Sequence, residues 1–232
     1  MSKVVSRNVL DNVVWHAMSG PQQALSERLG SAGRFHPDVS PFAAVADPES
    51  DEAWSDLAQL VGPGKAAILF APDLAAPPGW TREHAIPCLQ MVADNVTEHA
   101  DAEGLVDLTP DDVPEMLQLV AETQPGPFGP RTIEMGRYLG VRSDGRLVAM
   151  TGERFRLPGF TEVSAVCTDA EHRGRGLARK LVLAVVDNIR SAGNEAILHV
   201  ASENTPAIAL YGALGFTVRS ESEAVVVRRK AD

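Results

Sequence analysis

The sequence has only two cysteines, Cys88 and Cys167, far apart and in no Cys-x-x-Cys or Cys/His spacing. That excludes a disulfide framework and gives no zinc-ligand pattern, so both read as small buried hydrophobes. Basic charge is in deficit: 21 Lys and Arg stand against 31 Asp and Glu, a formal net charge of -10. Sequence-independent binding of nucleic acid needs a basic face that this balance does not supply, although a local basic pocket is compatible with it. No apolar run approaches the ~20 residues that cross a bilayer, and the opening MSKVVSRNVLDNVVW lacks a continuous apolar core followed by small residues. The expectation is a cytoplasmic protein with neither a membrane nor a nucleic-acid partner. What is present is ordinary globular usage, 44% hydrophobic and 22% charged over 232 residues, enough for one large domain or two small ones.

The first hundred residues are short elements punctuated by Ser19-Gly20-Pro21, His36-Pro37, Gly62-Pro63-Gly64 and Ala76-Pro77-Pro78-Gly79. Asp51 to Val61 carries Trp54, Leu57, Ala58 and Val61 at helical spacing, Ala66 to Phe70 has strand length, and His84 to Asn95 reads as a strand and connector. Residues 1–100 are expected to form a small α/β domain without catalytic machinery, and the acidic stretch Glu98 to Glu103 a linker. Residues 105–232 are more regular. Thr109 is an N-cap, Pro110 the first helical residue and Asp112 the third, ahead of the stripe Val113, Met116, Leu117 and Val120. Pro125, Pro127 and Pro130 force a loop. Strands over 139–142, 146–155 and 161–168 follow, joined at Ser143-Asp144-Gly145 and Pro158-Gly159. Leu177, Leu181, Val185 and Ile189 then predict an amphipathic helix from Gly174 to Ser191. A strand over 196–200, a helix over 206–214 and two short strands over 216–219 and 224–228 complete the order βββαβαβ.

The chemistry concentrates in Val166-Cys167-Thr168-Asp169-Ala170-Glu171-His172-Arg173-Gly174-Arg175-Gly176-Leu177-Ala178, a strand passing through a glycine-rich turn into a helix. Glycines let successive amides converge at the helix start, where unpaired N–H groups and the dipole favour phosphate. Arg173, Arg175, Arg179 and Lys180 crowd the same positive end, which costs stability unless an anion binds or the side chains splay into solvent. The turn lacks the complete Gly-x-Gly-x-x-Gly of dinucleotide folds and the Gly-Lys-Ser/Thr of a P-loop.

The block resembles the acetyl-CoA signature of the GNAT superfamily, Arg/Gln-x-x-Gly-x-Gly/Ala, filled by Arg173, Gly176 and Ala178. Asn204-Thr205-Pro206-Ala207-Ile208-Ala209-Leu210-Tyr211, followed by Leu214-Gly215-Phe216, is similar to the family's downstream Asn-x-x-Ala-x-x-x-Tyr-x-x-x-Gly-Phe element. The resemblance covers the final ~125 residues and leans toward the FR47-like, glycine N-acyltransferase branch. It implies an α/β (α+β) GNAT fold, a mixed, mostly antiparallel sheet flanked by helices, preceded by a smaller degenerate copy of the fold. It also implies an N-acyltransferase that uses acetyl-CoA or another acyl-CoA as cosubstrate, without a metal, by direct attack in a ternary complex.

On this resemblance the amides of Arg173, Gly174, Arg175, Gly176, Leu177 and Ala178 hold the CoA pyrophosphate. The edge at Val166, Cys167 and Thr168 pairs with pantetheine, and Asn204 either joins it or caps the later helix. Tyr211 is the family tyrosine that protonates the leaving thiolate, although Ile208, Tyr211 and Leu214 also share a helical face that fits a core role. Glu162 is the candidate base, with Glu153 the rival and Cys167 a weak alternative nucleophile. His172 and His199 read as structural, with His199 bordering the acyl site if it faces the groove. The proline loop is expected on the acceptor side, with Phe128 toward substrate. The acceptor is expected to be a small-molecule amine or amino acid, with a protein N-terminus also open, and the protein a monomer or homodimer. A non-catalytic acyl-CoA sensor is the other reading.

Overall fold

A computed structural model describes residues 7–231. In the first half, α1 (Val13–Met18) is capped by Asn12, whose side chain accepts from the Trp15 amide at 3.3 Å. The strands β1 (Ser26–Leu29), β2 (Ala32–Phe35) and β3 (Ala43–Val45) form an antiparallel sheet. The helix α2 (Asp51–Val61) starts on Ser50, which accepts from the Ala53 amide, and stops at Gly62 with φ 83°. It buries Trp54, Leu57 and Val61, the spacing that predicts it. Then come β4 (Ala66–Ala71) and β5 (Trp80–Val92).

The second half runs β6 (Leu105–Leu108), α3 (Val113–Thr123), β7 (Tyr138–Ser143), β8 (Arg146–Leu157), β9 (Phe160–Thr168), α4 (Leu177–Ser191), β10 (Glu195–Ala201), α5 (Thr205–Leu214) and β11 (Thr217–Arg229). The expected capping box is present: Asp112 accepts from the Thr109 amide at 2.7 Å, and a single 3-10 turn over Pro110–Asp112 leads into α3. Asp144 and Gly145, both at positive φ, make the β7–β8 turn.

The large sheet has the order β4-β11-β5-β10-β9-β8-β7-β6, antiparallel at every step except β9 against β10. It is thus the mixed, mostly antiparallel sheet expected. Besides the edge strand β6, which the sequence reading does not include, two elements differ from it. The polar run Ser220 to Glu223 does not separate two strands, because it pairs with Gln90 to Pro87 and β11 is continuous apart from register shifts near Arg219 and Val226. In the first half, β5 is thirteen residues long and sits between β10 and β11 in the middle of the large sheet. Strands β4 and β5, from the segment expected to stand apart, are therefore hydrogen-bonded into the sheet that carries the glycine-rich turn.

Four apolar clusters hold these layers. One joins α4 and α5 to the sheet through Leu181, Val185, Ile189, Leu198 and Tyr211, and another joins α1 and β2 to the opposite face through Val14, Phe35, Phe155, Phe160 and Ile197. A third packs α2 on β4 and β11, and the last seats α3 on β7 and β8. Each fully buried Leu, Ile or Val contributes roughly 1.5–3 kcal/mol.

Candidate functional site

The parallel partners β9 and β10 stay together only from Phe160–Glu162 against Glu195–Ile197. Beyond that, β9 bulges, with Ala165 at φ 53° between Ser164 and Cys167, while β10 remains tied to β5 up to Ala201 opposite Cys88. The strands splay, and the gap is a groove of about 650 Å³ walled by Val163 to Thr168 on one side and by His199, Val200 and Ala201 on the other. Tyr211, Leu210 and Ala207 of α5 close it from above, and Thr123, Gln124, Pro125 and Gly126 form a rim.

At one end the groove runs into a second hollow, of about 160 Å³, sharing Thr168, Arg173, Ala178 and Leu210 with it. Here Gly174 and Gly176 have φ of 75° and 76°, and a Cβ at either would meet nothing within 4 Å. Glycine is required by the left-handed backbone, not by lack of space. No side chain caps α4, so its first amides face the hollow without intrahelical acceptors. Thr168 Oγ1 is buried with no protein partner. An open cradle of amides beside an orphaned hydroxyl fits a phosphate-bearing ligand that runs on between the strands.

The basic residues are less available than their number suggests. Arg173 Nε donates to the Thr168 carbonyl at 3.2 Å, and Arg175 turns back to the Glu171 carbonyl at 3.0 Å. Arg179 is bound by Glu98, and Lys180 lies 3.3 Å from Asp101. The acidic stretch expected to be a linker is thus pinned to α4, with the Ala100 amide donating to Asp187 at 2.9 Å. Asn204 lines the groove and also caps α5, accepting from the Ala207 amide at 3.2 Å.

Tyr211 stands in the core and at the groove wall at once. Its ring packs on Phe216 at 5.9 Å inside the core, yet it also walls the groove, and burial pushes the phenol up to about 12. Cys167 lines the groove with a buried thiol that desolvation pushes up to about 11, which leaves little thiolate for nucleophilic attack. Phe128 does not line the groove; it packs edge-on against Tyr138 at 5.6 Å. Glu153 is half-buried outside the groove, its carboxylate facing the Arg137 amide at 3.4 Å. His172 does not stand free in solvent: its Nδ1 is 3.2 Å from Asp169.

Glu162 is wholly enclosed, on the sheet face that packs against the first half of the chain. Arg154 grips it with two bonds, at 2.8 and 2.6 Å, and His199 Nδ1 lies 2.7 Å from the same carboxylate. Burial alone would raise its pKa, but the Arg154 charge and hydrogen bonds, followed by those of His199, outweigh this and hold it at about 2. The Arg154 guanidinium is in turn packed among Phe42, Phe70 and Phe155, at 4.7 to 5.7 Å from the ring centroids. Arg154 and His199, unlike Glu162, line the groove. Glu162 and His199 were singled out separately in the sequence, whereas Arg154 and the grouping of the three escaped it because they sit on three strands. The one signal was two charged residues and a histidine on strands otherwise reading as buried.

A mixed sheet splayed between two parallel strands, with a glycine turn opening the next helix, is a scaffold for an extended phosphate-bearing ligand. Comparison with known proteins gives its family. The sequence profile described as FR47-like protein matches residues 138–225. A protein from Novosphingobium aromaticivorans DSM 12444 assigned to the GNAT acetyltransferase family has a crystal structure that superposes with TM-score 0.88 at 40% identity, over 96% of this chain and 99% of its own. The mycothiol acetyltransferase of Thermomonospora curvata is 31% identical over 200 residues, 84% of this chain and 63% of its own. The N-alpha-acetyltransferase RimI of Mycobacterium tuberculosis is 38% identical over 82 residues, 34% of this chain and 51% of its own. The chain therefore spans less than two thirds of either curated relative. It belongs to the GNAT acetyltransferase family.

Proposed function

We propose that the protein transfers the acetyl group of acetyl-CoA to the primary amine of a small molecule, by direct attack within a ternary complex. The observation that carries this reading is the groove itself, which runs from the amide cradle at Gly174–Ala178 to the ionisable groups at Arg154 and His199. The amides from Arg173 to Ala178 hold the pyrophosphate, the backbone of Val166 to Thr168 pairs with the pantetheine amides, and Asn204 stands at its flank. Acetyl-CoA supplies an activated thioester. Atoms balance as R–NH3⁺ plus acetyl-CoA giving the acetamide, CoA thiol and one proton. The Tyr211 hydroxyl donates toward the departing sulfur, and the buried negative charge of Glu162, next to His199, favours removal of the amine proton. A small acceptor is favoured over a protein terminus by the relatives: the one named mycothiol acetyltransferase matches 84% of this chain, the one named RimI 34%.

Calorimetric titration with acetyl-CoA tests the reading, comparing wild type with Gly176→Glu. Saturable binding in the wild type, lost in the variant, is the expected result. A folded wild-type protein that does not bind acetyl-CoA overturns it, and binding without transfer to any amine leaves a sensor instead of an enzyme.

A further inference from the structure

Behind His199, on the side away from the glycine turn, lies a separate cavity of about 200 Å³ between the residues around α1, the end of β4 and the Ser220–Ser222 stretch of β11. Among the described residues, His199 alone lines both this cavity and the groove. We propose that the cavity is the acceptor subsite, that it takes a small polar primary amine, and that His199 is the group that receives the amine proton; this rests on the acetyl-transfer reading.

The hydrogen-bonding roles of the two His199 ring nitrogens follow from their neighbours. Gln90 of β5 donates from Nε2 to the Leu10 carbonyl at 2.9 Å and accepts at Oε1 from Arg219 at 2.8 Å, so its amide is oriented from both ends. That orientation presents Nε2, a donor, to His199 Nε2 at 3.1 Å. The ring nitrogen there must carry a lone pair, and the proton lies on Nδ1, directed at Glu162. Phe70 stacks on the imidazole at 4.4 Å and 16°, fixing its plane. His199 Nε2 therefore accepts from Gln90 on the cavity side, while Nδ1 faces a carboxylate that Arg154 keeps ionised.

The cavity wall carries one unused polar group: Ser222 Oγ is buried and has no hydrogen-bond partner. Asp11 is paired with Arg219, which also lines the cavity, so the exposed Glu221 is the carboxylate left to favour the approach of an ammonium, while Leu10, Val13 and Phe70 give an apolar wall. A hydroxylated or amide-bearing amine satisfies Ser222, and its N–H takes the place of Gln90 on His199 Nε2 while Gln90 keeps its bond to Leu10. The ammonium gives one proton to His199 Nε2, the freed amine nitrogen bonds to the thioester carbonyl carbon, and as the C–S bond breaks the nitrogen's second proton leaves with the sulfur as CoA thiol. Glu162 then balances the imidazolium.

The test measures CoA thiol release at saturating acetyl-CoA with ethylamine, ethanolamine, serinol and glucosamine. It uses wild type, Ser222→Leu, Ser222→Val and His199→Asn, each also titrated with acetyl-CoA by calorimetry. Filling the cavity with Ser222→Leu is expected to raise the amine KM by about tenfold or more with acetyl-CoA affinity unchanged, and His199→Asn to lower kcat by about a hundredfold. If Ser222→Leu no longer binds acetyl-CoA, Ser222→Val carries the decision. A wild-type amine KM in the filled variant overturns the subsite, an undiminished kcat in His199→Asn overturns the base, and a wild type that binds acetyl-CoA but acetylates none of the four amines overturns the small-amine assignment. Failure of the wild type to bind acetyl-CoA instead defeats the acetyl-transfer reading on which all of this rests.

Discussion

Tyr211 shows how burial limits what a side chain can do. A free thiol titrates near ~8.5, so full proton transfer to a thiolate from a phenol held at about 12 is uphill, and the hydroxyl serves best as a hydrogen-bond donor to the sulfur as charge develops. Tyr211→Phe is expected to leave the acetyl-CoA dissociation constant within about twofold while kcat falls about a hundredfold, read by calorimetry and thiol release. Glu162 makes the opposite case, a charge valuable because it is fully paired. Glu162→Gln leaves the Arg154 guanidinium buried without its counter-charge, and urea unfolding should show a loss of about 3–5 kcal/mol. The pH dependence has a definite sign. Because the folded pKa of Glu162 lies below the ordinary 4.5, its contribution is complete above that value and is lost as pH falls toward about 2. Thermal midpoints measured downward from pH 6 should drop through this window in the wild type, and less steeply in Glu162→Gln.

Among the elements, α4 and α5 present contrasting starts. Asn204 closes the first turn of α5 with its own side chain, so Asn204→Ala should cost about 1 kcal/mol of stability in urea unfolding, whatever it does to ligand affinity. The start of α4 is left open on a left-handed Gly176, the arrangement of a helix end that expects an anion. The motif spacing makes both starts readable in advance, because caps, turn glycines and the 3.6 period are local properties. Phe128 and the 98–103 stretch were not readable in this way. Their partners, Tyr138 and the basic turn of α4, are chosen by packing between elements distant in sequence.

At the scale of the molecule, β5 couples the halves. It pairs with β11 along its length and with β10 from Cys88 to Val92, so residues before 100 supply the strand that holds the far wall of the groove. A polypeptide beginning at residue 105 would expose both flanking strand edges. It is expected to be insoluble or to bind no acetyl-CoA, and the whole chain to unfold in one transition followed by circular dichroism and by tryptophan fluorescence alike.

The sequence by itself determined the glycine-rich turn, the caps, the α4 stripe and the hairpins, because each depends on residues within a few positions of one another. Only the tertiary structure decided that Glu162 lies opposite Ile197 across a parallel pair, within reach of Arg154 and His199, and that Gln90 reaches His199 from the other side. Gln90 and His199 lie about a hundred residues apart in sequence, their strand register is set by the fit of whole apolar faces, and a shift of one residue would turn Gln90 away from His199.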